Sequence, residues 1–141
     1  ATVSREYTHA LIRDFANGAE VTLVGSARLA AFAEAELQGA PVEDAAIARE
    51  IAPCFVDADG RRTDTIVLAC THYPLLLRRL EQIAPWPVRF IDPASAIARR
   101  VVDLIGPATQ SKAPPAQIVF TSGKKPSAAL AAALARFGIG S

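Results

Sequence analysis

Apolar positions along the chain alternate between two rhythms: short runs rich in β-branched residues, and longer stripes at helical spacing. Ser4 is placed to cap a helix over residues 4–15, in which Tyr7, Leu11 and Phe15 share a face and are expected to pack inward. Asn17-Gly18 is a helix ending. A strand is predicted over 20–25, then a helix that Ser26 caps and that carries Leu29, Phe32, Ala33 and Leu37 as its apolar stripe. Ile47 and Ile51 mark a further helix over 42–52, which Pro53 ends. Residues 57–62 read as a polar turn feeding an apolar strand that begins at Thr65. After Pro74 comes a helix with Leu75, Leu76, Leu80 and Ile83 facing inward, and Arg78, Arg79, Glu81 and Gln82 facing out. Pro85-Trp86-Pro87 is a stiff connection to a strand over 88–91 ending at Asp92, and a helix over 94–105 follows. Residues 107–116 form a linker, and the pattern closes with a strand over 117–121 and a helix over 127–137.

Strand and helix thus alternate from end to end, which predicts an α/β fold. The sheet is expected to be open, wound and mostly parallel, with right-handed crossovers and helices on both faces. Residues 1–106 form one domain in this reading, and the linker sets off the elements after it.

The chemistry collects at one point. The run that starts at Thr65 stops at Cys70, Thr71 and His72, so a thiol, a hydroxyl and an imidazole stand at the carboxyl end of a strand. Ligands bind at that edge in open α/β sheets. A helix N-terminus behind it suits a carboxylate and lowers the pKa of a nearby thiol. The same residues also fit an inert buried cysteine beside a capping threonine.

Composition narrows the classes. A net charge of +1 gives no reason to expect nucleic acid or an acidic membrane as partner. No apolar run reaches a membrane span, and no phosphate-loop or dinucleotide fingerprint occurs. Cys54 and Cys70 are too few for a disulfide framework, and both are expected reduced in the cytoplasm. Cys54, in an apolar segment after Pro53, reads as structural. No metal-ligand spacing is present and no cofactor is expected. His9 reads as a surface histidine, Lys124 and Lys125 as a solvated turn.

The stretch 68–76, Leu-Ala-Cys-Thr-His-Tyr-Pro-Leu-Leu, closely resembles the second catalytic-cysteine motif of glutamate racemase, a cofactor-independent amino-acid racemase. Ala1-Thr2-Val3 with Tyr7, the segment 88–101 and Phe120-Thr121-Ser122-Gly123 are similar to flanking stretches of that family, so the likeness covers nearly the whole chain but only the family's second half. It implies that Cys70 is one of two acid/base groups, that His72 assists it, and that Thr71, His72, Thr2 and Glu34 contact substrate. Composition alone makes Glu34 a solvated acid; Phe32-Ala33-Glu34 best matches a glutamate of the family. Val24-Gly25-Ser26 departs from the family's Ala-Cys-Pro at the preceding strand end. His72 favours glutamate over aspartate, whose racemases usually carry Glu there.

Racemising an α-carbon needs two acid/base groups on opposite faces of a planar intermediate. The likeness therefore implies interconversion of L- and D-glutamate, supplying D-glutamate for bacterial cell-wall peptidoglycan. It also implies a C-terminal fragment, inactive alone, whose partners are glutamate and a missing N-terminal half on which 117–141 would pack; it leaves room for a homodimer. Two other readings stay open: a non-catalytic carboxylate-binding module, and a hydrolase with Cys70 as nucleophile and His72 as base.

Overall fold

A computed structural model describes residues 2–107, 116 and 118–139. A 3-10 turn, Thr2–Ser4, leads into α1 (Glu6–Phe15), and α2 (Leu29–Leu37) and α3 (Asp44–Ile51) follow. A second 3-10 turn, Ala52–Cys54, begins a hairpin of β1 (Asp57–Ala58) and β2 (Arg61–Arg62). Next come β3 (Thr65–Val67), a 3-10 turn Tyr73–Leu76, α4 (Leu77–Ile83), β4 (Arg89–Ile91), α5 (Ala94–Ile105) and α6 (Ala128–Ala135).

The β3–α4–β4 unit is the parallel part of the fold. Thr65, Ile66 and Val67 pair with Arg89, Phe90 and Ile91, and Leu68 N–H donates to the Ile91 carbonyl at 2.9 Å, carrying the ladder one residue further. The polar turn predicted at 57–62 is the tip of the antiparallel hairpin. Asp59 and Gly60 both take positive φ, 53° and 73°, which a two-residue hairpin turn requires.

One core holds these pieces together. Leu29 and Ala33 of α2, Ile47 and Ile51 of α3, Leu68 after β3, and Leu76 and Leu80 around α4 are all buried. Phe32, Phe55, Ile66, Tyr73 and Phe90 pack on them half-buried. Trp86 is also half-buried; its ring meets Phe55 edge-on at 5.2 Å, and its N–H donates to the Thr63 carbonyl. At the far end Ser127 caps α6 by accepting from Leu130 N–H. α6 lies on α2: Ala133 is buried, Ser127 Oγ donates to Gln38, and a Cβ on Gly39 would sit 3.1 Å from that of Ala129.

Several expectations need correction. Residues 20–25 show no strand and join no sheet; Val24 lines a cavity of about 60 Å³ together with Ile66 and Val67. Of the strand expected at 117–121, residue 117 lies outside the described residues, and 118–121 show no strand. Nearby, Ala116 bridges Ile139 beyond α6. The linker expected at 107–116 falls mostly on residues 108–115, which also lie outside the described ones. The parallel sheet is therefore one pair of strands among the described residues.

The stripes of α1 and α5 do not reach the core. Tyr7, Leu11 and Phe15, like Ile97, Leu104 and Ile105, are more than half exposed. Helical spacing shows that such residues share a face, not what covers it. The accessible surface, 10684 Å² for 14.9 kDa, exceeds the roughly 7,000 Å² that scaling gives a compact monomer. Arg79 was expected to face solvent; it turns inward to Asp44, Glu36 and the Val42 carbonyl. No helix among the described residues is long and apolar enough to cross a membrane.

Truncating the fully buried Ile47 to Ala leaves a hole between α3 and α4, and should lower stability by about 2–5 kcal/mol. Ile105→Ala, on the open face of α5, should stay within about 0.5 kcal/mol of the parent. Urea unfolding followed by circular dichroism measures both; equal losses would refute the core assignment.

Candidate active site

The site is made by a change of direction after β3. Leu68 is pinned in the core and to β4, and the chain then curls through two successive tight turns. Ala69 N–H donates to the Val67 carbonyl at 3.0 Å, and Cys70 N–H to the Leu68 carbonyl at 2.8 Å. Tyr73 N–H then donates back to the Cys70 carbonyl at 3.2 Å. The curl puts Cys70 and His72 on one side, with Sγ 3.8 Å from Nδ1. The opposite ring nitrogen, Nε2, lies 2.8 Å from Glu34 Oε1 on α2.

That line of three groups orders the protons. An ionised carboxylate only accepts, so Nε2–H donates its hydrogen bond to Glu34, and a ring with its single proton there presents the Nδ1 lone pair to the thiol. Geometry thus joins three of the residues predicted from sequence: Cys70, His72 and Glu34. Thr71 stands exposed at the tip of the turn. The side chain of Thr2 lies outside the described residues; its 3-10 turn is placed by Val3, which is 3.2 Å from where a Cβ on Gly25 would stand. The helix expected to start at Pro74 begins instead as a 3-10 turn, with regular α4 only from Leu77.

Three observations compare this arrangement with known proteins. No protein-family model matches the chain. The glutamate racemase of Agrobacterium fabrum is 52% identical over 126 residues, covering 87% of this chain and 46% of that protein. The glutamate racemase of Brucella canis is 44% identical over 140 residues, 98% of this chain and 50% of that one. The chain is homologous to glutamate racemase. Its structure agrees as well. The glutamate racemase of Escherichia coli, solved with L-glutamate and the activator UDP-MurNAc-Ala, matches with a TM-score of 0.75 at 37% identity, over 98% of this chain and 52% of that one. The α/β class follows from that match, and the chain spans about half the length of the glutamate racemases it resembles.

The sequence reading missed the surroundings of the glutamate racemase motif. Tyr73 lines the 60 Å³ cavity with Cys54, Glu50 and Ser26. Ser26 Oγ donates to Glu50 at 2.6 Å and accepts from Leu29 N–H at 2.9 Å, so the predicted cap also holds a carboxylate. Burial pushes the Tyr73 phenol above its ordinary range, and negative charge on Cys70, Cys54 and Glu50 adds to the rise. No sequence spacing links residues 26, 50, 54 and 73. Among the described residues no group of three or more His, Cys, Asp or Glu is placed to hold a metal ion.

Cys54 also stands apart from Cys70 chemically, since burial raises its thiol pKa above the ordinary 9.0. A raised pKa leaves less thiolate at neutral pH, and thiolate is the reactive form. Iodoacetamide at pH 7.5 should therefore label Cys70 well before Cys54, with Cys54 labelling still accelerating beyond pH 9. Peptide mass spectrometry over a pH series decides it, and faster labelling of Cys54 at pH 7.5 would contradict the assignment.

Proposed function

We propose that this chain is one half of a glutamate racemase and supplies one of its two acid/base thiols. The observation that carries the reading is the Glu34–His72–Cys70 line at the end of β3, in a chain 52% identical to a named glutamate racemase over 126 residues. In this reading Cys70 removes or returns the α-proton on one face of glutamate, and His72, held by Glu34, orients the thiol and exchanges its proton. Thr71 and the turn around it bind a substrate carboxylate, with Thr2 and Glu34 also within the substrate site. A second thiol on the opposite face comes from the other half of the enzyme, and no cofactor takes part. The product D-glutamate serves the bacterial cell wall, and reduced thiols suit a cytoplasmic enzyme.

The open faces of α1 and α5 support a divided enzyme. Tyr7, Leu11 and Phe15, with Ile97, Leu104 and Ile105, are apolar area of the kind that covers an interface. The other half, or a second copy of the chain, is the cover we propose, and the elements beyond residue 116 contribute to the same contact. The Cys70–His72–Glu34 geometry also fits a nucleophile with its base and orienting acid, so a Cys/His hydrolase is the second reading.

The test joins this chain to the amino-terminal half of the Agrobacterium fabrum enzyme. Glutamate racemisation and deuterium uptake at the α-carbon are then followed. The joined protein should racemise and the 141-residue chain alone should not; Cys70→Ala in the joined protein should cost about 10²–10⁴-fold in rate. Racemisation by the short chain, or an acyl-enzyme trapped at Cys70 without α-carbon exchange, would sink the reading. In the same joined protein, His72→Asn should slow the direction that starts with proton removal by Cys70 more than the reverse. Equal initial losses in both directions would assign His72 to binding or folding.

A further inference from the structure

We infer that Arg79 is a positioning residue for the Glu34–His72–Cys70 line, clamping α2 so that Glu34 meets the histidine. The inference rests on the proton-transfer role proposed for that line, although its own test does not need the racemase reaction.

The guanidinium sits on α4, seven residues after His72, with its side chain only 22% exposed. Nε donates to Asp44 Oδ1 at 2.9 Å and Nη2 to the Val42 carbonyl at 2.6 Å, with Nη2 also bonded to Asp44 and Nη1 to Glu36. One planar group thus holds α2 through Glu36, the α2–α3 connection through Val42, and the first residue of α3. The hydrogen bonds to Asp44 and the negative charges of Asp44 and Glu36 raise the arginine pKa, so the clamp stays charged.

Glu36 is two residues from Glu34 on the same helix, about 200° round its axis at 3.6 residues per turn. Arg79 and His72 therefore grip α2 at two different angles, and rotation of the helix cannot satisfy both if either contact slips. Between them on the helix surface lie Leu29 and Ala33, both buried. The apolar contact brings α2 near the turn, and the fork sets its angle.

A purely structural role would cost stability and nothing more. A positioning role changes which ring nitrogen of His72 carries the proton. The experiment labels the 141-residue chain with ¹⁵N at histidine and reads the ring-nitrogen resonances of the neutral form, assigned by a His9→Gln variant. The parent chain should show one His72 tautomer, protonated at Nε2. Arg79→Ala, folded by circular dichroism, should lose that single tautomer, and its ring-nitrogen signals should converge. Glu36→Gln, which weakens one arm and spares the rest of the clamp, should move part of the way and serves if Arg79→Ala does not fold. A folded Arg79→Ala chain, or failing that a Glu36→Gln chain, that keeps the parent tautomer would overturn the inference. Glu34→Ala separates the two levels. Loss of the tautomer in Glu34→Ala alone, with Arg79→Ala unchanged, removes Arg79 and leaves the proposed function standing. Loss in both supports Arg79 even if the joined enzyme fails to racemise.

Discussion

The packing of α2, with Ala33 in its core face, on the turn that ends in Leu76 is the constraint on which the site depends. α2 packs directly on that 3-10 turn, and both side chains are within 1% of complete burial. A larger side chain at 33 would push α2 away from the turn, and overpacking a filled core costs about 1–3 kcal/mol. The next residue along α2 is Glu34, so displacement of the helix would be felt first at His72. Core packing and proton chemistry are neighbours here by a single step along the chain.

The polar contacts could not hold this geometry unaided. The side chains of His72 and Glu34 are 36% and 53% exposed, and ion pairs so open to water are worth about 0–1 kcal/mol. Burying Leu76 or Leu80 is worth about 1.5–3 kcal/mol each. The division of labour follows: apolar burial supplies the energy, and the weaker polar contacts supply direction. A partly exposed imidazole keeps access to solvent protons, which the acid/base role proposed for it requires.

Legibility in the sequence tracked the distance over which each feature is specified. Cys70 and His72 were readable because the turn that joins them is local, and the Ser26 cap because capping acts within a few residues. Glu34 was readable only through likeness to a family, since its partner is 38 positions away. Arg79 was misjudged for the same reason: its acceptors at 36, 42 and 44 are distant in sequence, and charge alone argued for solvent. The stripe of α1 was correctly seen as an apolar face and wrongly assigned to the core. Periodicity is silent on whether a covering surface lies in the same chain. The segment 20–25 shows the matching limit for strands, whose hydrogen-bond partner is never encoded in their own residues.

The ring contact at the edge of the hairpin has an optical consequence. Trp86 is the chain's one tryptophan, and it sits edge-on to Phe55, with Arg62 stacked over its ring at 5.6 Å and its N–H held by Thr63. Its emission therefore watches the hairpin and the entrance to β4, and a nearby guanidinium and fixed carbonyl set its colour. Fluorescence will register loss of that corner faithfully. None of these contacts is with α2 or Cys70, so what the light reports is the hairpin corner and not the proposed chemistry.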